Sequence, residues 1–184
     1  MIGTLAYGKA GYQTGTALRH LSLLLAASIV ALAGAAAPSA LAQAPLRIGD
    51  APPRTTLAEL GGRTLRVPDD LRGKVVILHF WAGGCSSCRE EMPAMESLYT
   101  RYAKRGFTIL AVNVGQRKDA VRKFAADLKV SYPVYLDPEA KVAREYEVVG
   151  VPKTFILDRN GVIRYKIVGG ASRESLNKLV GSLL

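Results

Sequence analysis

Between Lys74 and Trp81 the chain reads Lys-Val-Val-Ile-Leu-His-Phe-Trp, an apolar run in which polar residues do not alternate with apolar ones. A strand wetted on one face alternates; one that does not alternate is buried on both faces, as a central strand of a helix-covered sheet is. Residues 107–114, Phe-Thr-Ile-Leu-Ala-Val-Asn-Val, have the same character and predict a second such strand. Between them Met92, Met95, Tyr99 and Tyr102 recur at near-helical spacing. That spacing predicts a helix opening at Cys85, kinked at Pro93, with its charged residues turned outward.

The remaining segments fit around this pair. Val121, Phe124, Ala125 and Leu128 form the i, i+3, i+4, i+7 stripe of another helix. Val134 to Leu136 is a short extended piece, and Asp137-Pro138 predicts a helix running to about Tyr146. Asp158-Arg159-Asn160-Gly161 between two apolar runs, residues 154–157 and 162–168, predicts a hairpin. Ser172 is placed to cap a last helix carrying Leu176, Leu179, Val180 and Leu183. Residues 43–73, rich in Pro, Gly, Arg and Thr, predict an arm with a small hairpin packed on the rest of the domain. The expectation is an α/β fold with a mixed central sheet flanked by helices.

The first 42 residues stand apart. Leu21 to Ala37 is an unbroken run of Leu, Ala, Ile, Val, Ser and Gly, followed by Pro38 and Ser39-Ala40-Leu41-Ala42. Residues 1–42 read as a secretory signal cleaved after Ala42, leaving one domain over residues 43–184. The alternative is a retained membrane anchor, since the run is near the ~17-residue lower limit for a spanning helix. Either reading puts the domain in an oxidising compartment such as a periplasm, where two thiols pair. Twenty-five cations against fifteen acids, two of those cations lying before residue 43, leave about +8 on residues 43–184. The basic residues are scattered without interleaved aromatics, which describes a solvated surface rather than a nucleic-acid site.

Both cysteines, Cys85 and Cys88, lie in Phe80-Trp-Ala-Gly-Gly-Cys-Ser-Ser-Cys-Arg-Glu-Glu-Met-Pro93. As a structural staple they would do little: closing four residues stabilises by roughly 2 kcal/mol, against about 3 for fifteen. As zinc ligands they lack partners, because His79 is the only histidine after residue 42. A two-thiolate copper(I) site stays open. A redox couple fits best, because the pair falls where a buried strand gives way to a helix whose first-turn N–H groups favour the Cys85 thiolate. Cys85 would then be the nucleophile, and Cys88, one turn on, the resolving thiol.

Phe-Trp-Ala-x-x-Cys-x-x-Cys, the proline five residues beyond it, and Gly150-Val151-Pro152 before a strand resemble the thioredoxin superfamily. Leu-Arg-Gly-Lys-Val-Val-Ile-Leu before the motif, Ala-Val-Asn-Val-Gly after it, Tyr-Pro-Val-Tyr-Leu-Asp-Pro and Val-Pro-Lys-Thr-Phe-Ile-Leu-Asp-Arg-Asn-Gly resemble its TlpA/ResA-like branch of exported thiol-disulfide oxidoreductases. The resemblance spans about residues 47–183. It implies a thioredoxin fold with an N-terminal β-hairpin extension, a redox-active Cys85–Cys88 disulfide and no other cofactor. It implies that Pro152 is a cis-proline facing the pair and that the Val151 backbone pairs with an extended substrate segment.

Three positions depart from the branch. Gly84 stands where Trp is usual, which alters substrate contact beside Cys85. Gln116 replaces an acid and reads as a polar loop group capping the next helix. His79 takes the place of a buried Asp or Asn and is either a satisfied core histidine or a candidate for proton transfer with Cys88. The function implied is reduction of protein disulfides, with partners such as apocytochrome c or copper-chaperone and oxidase-subunit dithiols and with a membrane electron donor. The alternatives are a disulfide oxidant or isomerase and, from another class, a copper-binding or chaperone-like module.

Overall fold

The computed structural model describes residues 45–184, so the leader read in residues 1–42 lies outside the described residues. The apolar run becomes strand β3 (Val75–Trp81), with every residue buried. The run at 107–114 becomes β4 (Phe107–Val114). Helix α1 (Ser86–Tyr102) joins them and continues across Pro93, with Cys85 as its N-cap. The arm carries the expected hairpin, β1 (Thr55–Glu59) and β2 (Thr64–Val67). After β4 come α2 (Lys118–Asp127), β5 (Val134–Asp137), α3 (Lys141–Glu145), β6 (Lys153–Leu157), β7 (Ile163–Val168) and α4 (Arg173–Gly181).

The seven strands form one mixed sheet in the order β2-β1-β5-β4-β3-β6-β7. β3, β4 and β5 run parallel, while β6 pairs antiparallel with β3. This is the thioredoxin-like fold, with the hairpin as its extension. The hairpin goes further than packing on the domain, because β1 pairs with β5 through Ala58–Leu136 and Glu59–Tyr135. β5 would otherwise present an unpaired edge of N–H and C=O groups. At the other edge the arm bonds β7, Gly49 donating to Ile163 O at 2.8 Å and Ile163 donating to Asp50 O at 2.9 Å.

Alternation along β3 divides the core in two. Val75, Ile77 and Trp81 face α1, α2 and α4, packing with Met92, Met95, Phe124, Leu176 and Val180. Val76, Leu78 and Phe80 face α3 and the arm, packing with Tyr146, Val142 and Phe155. Each side has an aromatic anchor: Trp81 stacks on Phe124 at 4.8 Å between centroids, and Phe80 lies 5.3 Å from Tyr146. Removing such a buried ring typically costs about 3–5 kcal/mol.

One sequence expectation is corrected here. The helix expected from Asp137-Pro138 starts only at Lys141, because Asp137 still belongs to β5, paired with Val114, and Ala140 is left-handed at φ 53°. Asp137 nevertheless caps α3 from a distance, accepting from Val142 N at 3.2 Å and Ala143 N at 2.8 Å. Ser172 caps α4 as expected, accepting from Ser175 N at 3.1 Å.

Candidate active site

The site is built on the turn that carries the chain from β3 into α1. Cys85 N donates to Ala82 O at 3.1 Å, closing the turn Ala82-Gly83-Gly84-Cys85. Cys85, extended at φ −90° and ψ 111°, is the N-cap, and its Sγ accepts from Cys88 N at 3.1 Å. One turn of helix brings Cys88 beneath it, and the two sulfurs form a disulfide with Cα atoms 5.3 Å apart, within the usual 4.4–6.8 Å range. The pair is asymmetric: Cys85 is half-buried, while Cys88 has no exposed surface.

Under the disulfide the apolar core turns polar for one layer. Register places His79 opposite Ala111 on β4 and opposite Thr154 on β6. By alternation His79 points to the α1 side, and its Nδ1 meets Thr154 Oγ1 at 2.9 Å and Glu91 Oε1 at 3.2 Å. Glu91 is itself buried on α1, with Oε2 accepting from Ala171 N at 2.8 Å. Burial holds His79 neutral, its pKa pushed down to about 3, and pushes Glu91 up to about 7 against the Ala171 hydrogen bond. Burial thus disfavours the charged form of each, so the 3.2 Å approach of His79 Nδ1 to Glu91 Oε1 is a close contact rather than an ion pair, and Glu91 Oε1 has no hydrogen-bond partner among the described residues. His79 Nε2 has no partner among the described residues, which is the cost of placing an imidazole in this layer.

Glu91 is the residue that sequence reasoning missed. The expectation that α1 turns its charges outward fails there, because Glu91 shares a face with Cys88, Met92 and Met95. The available signal was an acid three residues after the second cysteine, inside the apolar stripe. A cleft of about 630 Å³, lined by residues including Ser87, Glu91, Ala171 and Arg173, leads from the surface to this carboxyl.

A second polar group lies on the other side of the turn. Gln116 does not cap α2, whose N-cap is Arg117 without a side-chain bond. It reaches back instead, Oε1 accepting from Gly83 N at 2.5 Å and from Asn113 Nδ2 at 2.8 Å. Asn113 is fully buried on β4 opposite Trp81. The orientation of both amides follows from Gly83, whose N–H requires an oxygen. Gln116 thus presents Oε1, Asn113 must answer with Nδ2, and Asn113 Oδ1 is left without a partner among the described residues.

The structure places the other expected residues at the same end of the sheet. Phe80 pairs with Lys153, so the Val151-Pro152 step falls just beyond the register, where the Cys85 turn leaves β3. The Val151–Pro152 bond is cis, and Pro152 O accepts from Gly169 N at 2.9 Å. Lys153 is buried and donates to Glu147 O at 2.5 Å, tying the start of β6 to the end of α3. Between these fixed points Val149 is fully exposed. Gly84 is exposed at an ordinary φ, and a Cβ built on it meets nothing within 4 Å, so a side chain would fit. Among the described residues no cluster of three or more His, Cys, Asp or Glu side chains could hold a metal.

A disulfide at a helix N-cap, one sulfur accessible and one buried, beside a cis-proline at the head of an antiparallel strand, defines a thioredoxin-fold disulfide oxidoreductase. Residues 48–166 match the AhpC/TSA family. The chain is 38% identical over 136 residues to the thiol-disulfide oxidoreductase ResA of Geobacillus kaustophilus, covering 74% of this chain and 78% of that protein. It is 36% identical over 128 residues to ResA of Bacillus subtilis, covering 70% of each. Among solved structures, the thioredoxin domain of a thiol-disulfide oxidoreductase from Bacteroides vulgatus superposes with a TM-score of 0.65 at 29% identity, over 73% of this chain and 99% of that one. A Chlorobium tepidum protein assigned as the thiol:disulfide interchange protein DsbE superposes with a TM-score of 0.70 at 32% identity, over 75% and 98%. The chain belongs to the AhpC/TSA family of the thioredoxin superfamily, and within it is a ResA-like thiol-disulfide oxidoreductase.

Proposed function

We propose that this protein is an exported reductant of protein disulfides, with residues 1–42 as its signal or anchor and the periplasm as its compartment. The observation that carries the reading is the asymmetry of the pair. The reduced Cys85 thiolate attacks one sulfur of a partner disulfide, and the partner's other sulfur leaves as a thiolate. Cys88 then attacks Cys85 Sγ, the second partner sulfur leaves, and two electrons have passed to the partner while the Cys85–Cys88 disulfide forms. A membrane dithiol donor restores the reduced pair.

The surrounding residues take roles in this sequence. Val151 and Pro152 offer backbone to an extended partner segment at the cystine, and the bare Gly84 lets the partner's main chain come close. Cys88 must lose a proton to attack. His79, neutral and hydrogen-bonded, does not accept one near neutrality, whereas Glu91, with its pKa about 7 and the cleft beside it, does. His79 orients that carboxyl. Partners with exposed cystines in extended segments, such as apocytochrome c, copper chaperones or oxidase subunits, suit such a site.

Equilibrating residues 43–184 with glutathione and dithiothreitol buffers tests the direction. A reduction potential near or below about −230 mV supports the reductant, and one between about −180 and −120 mV replaces it with an oxidant or isomerase. Cys88→Ala should trap partners covalently on Cys85. Tight 1:1 copper(I) binding without any such trapped complexes would favour the copper-binding module instead.

A further inference from the structure

We propose that Gln116 is a positioning residue for the nucleophile: it clamps the Gly83-Gly84 turn to the sheet and so fixes Cys85 at the helix N-cap. This rests on the exchange function proposed above. Two consecutive glycines are the freest backbone a chain can have, and here they immediately precede the reacting sulfur. Neither has a positive φ, so the turn's conformation does not itself demand glycine.

What favours glycine at 83 is Gln116. A Cβ on Gly83 would lie 3.0 Å from Gln116 Nε2 and 3.1 Å from Oε1, so tight that the amide would have to shift by a few tenths of an ångström. The amide lies flat against a position kept bare for it, and the two residues form a matched pair 33 positions apart. The clamp is also anchored. Asn113, with no exposed surface and in register with Trp81, gives its Nδ2 to the same Oε1 although its own Oδ1 then goes unpartnered among the described residues. A continuous path runs from the sheet through Asn113, Gln116 and Gly83 to Cys85.

The choice of an amide is part of the device. A carboxylate at 116 would accept the same two hydrogen bonds but would set a negative charge beside the forming Cys85 thiolate. Glutamine holds the turn and leaves the helix N-terminus as the dominant field at the sulfur.

The test uses the reduced protein and oxidised glutathione as the probe, in wild type, Gln116→Leu, Gln116→Glu, Gly83→Ala and the Gln116→Leu/Gly83→Ala double variant. The readouts are the exchange rate constant, the thiolate titration of Cys85 and the hydrogen exchange of the Gly83 amide. Gln116→Leu should slow exchange at neutral pH about fivefold, the scale of a helix N-terminal effect, raise the Cys85 pKa and unprotect the Gly83 amide. Gly83→Ala should act in the same direction, and the double variant should fall no further than either single one. Gln116→Glu should restore protection at Gly83 while keeping the Cys85 pKa raised in a salt-dependent way.

If Gln116→Leu stays within about twofold of wild type in rate and titration, the clamp is overturned while the exchange function stands. A lowered melting temperature with an unmoved Cys85 titration, or additive effects of the two single variants, overturns it as well. Wild type that does not exchange with glutathione at all overturns the function and the clamp together.

Discussion

Two small polar networks flank the disulfide, both rooted in the central strands and both facing α1, and they differ in whether they can titrate. His79, Thr154 and Glu91 form the first, under Cys88; Asn113, Gln116 and the Gly83 N–H form the second, behind Cys85. The first holds two ionisable groups whose pKa values burial drives in opposite directions. The second consists of amides and stays neutral at every pH. In the exchange proposed above, the inner sulfur would give up a proton and the outer one would be held in place, so the division matches the two sulfurs.

Breaking the first network should have the largest effect. His79→Ala leaves a void in the sheet and strips Thr154 of a hydrogen-bond partner and Glu91 of a close contact, so chemical denaturation should show a loss of about 3 kcal/mol. Glu91→Gln should do the opposite above neutrality. Its folded-state pKa of about 7 lies above the ordinary 4.5, so the folded protein favours the protonated carboxyl and loses stability as pH rises from 4.5 through 7. A glutamine escapes that loss. The variant should be more stable than wild type by about 1–3 kcal/mol at pH 8, and the gain should vanish below about pH 4.5.

The second network should show no such slope. Asn113→Leu removes one donor to Gln116 along with the unpartnered Oδ1, and its stability change should stay within about 1 kcal/mol and be equal at pH 5 and pH 8. A pH-dependent difference there would end the contrast. The smallest effect belongs to Gly84→Trp. Because the position is open at an ordinary φ, unfolding free energy should move by about 0.5 kcal/mol or less. Exchange with bulky protein disulfides should slow relative to glutathione.

How far the sequence carried these assignments depends on the range of the interaction. The β3 run, the Cys85–Cys88 pair, the Asp158–Gly161 turn and the Ser172 cap are local patterns and were legible. The cis-proline was legible only through resemblance, since no local rule separates it from an ordinary strand-heading proline. Glu91 was hidden because helical periodicity treats a charge as solvent-facing unless something buried meets it, and what it meets, His79, lies on the preceding strand. Gln116 was misread as a cap because a local hydrogen bond is the default for a loop amide, while the bond it makes spans 33 positions. α3 was overextended because nothing in the sequence marks Ala140 as left-handed.

The burial of Cys88 beneath a half-exposed Cys85 also makes the site a clock. In the exchange proposed above, a covalent partner held on the outer sulfur would be discharged by Cys88, which is buried in the disulfide form. Its residence time would then be set by the proton on Cys88 and the layer beneath it, and the concentration of competing thiols outside would count only through their own access to Cys85. A partner that must be unfolded to be reduced could thus be held long enough to act upon, with the interval written into the protein's interior.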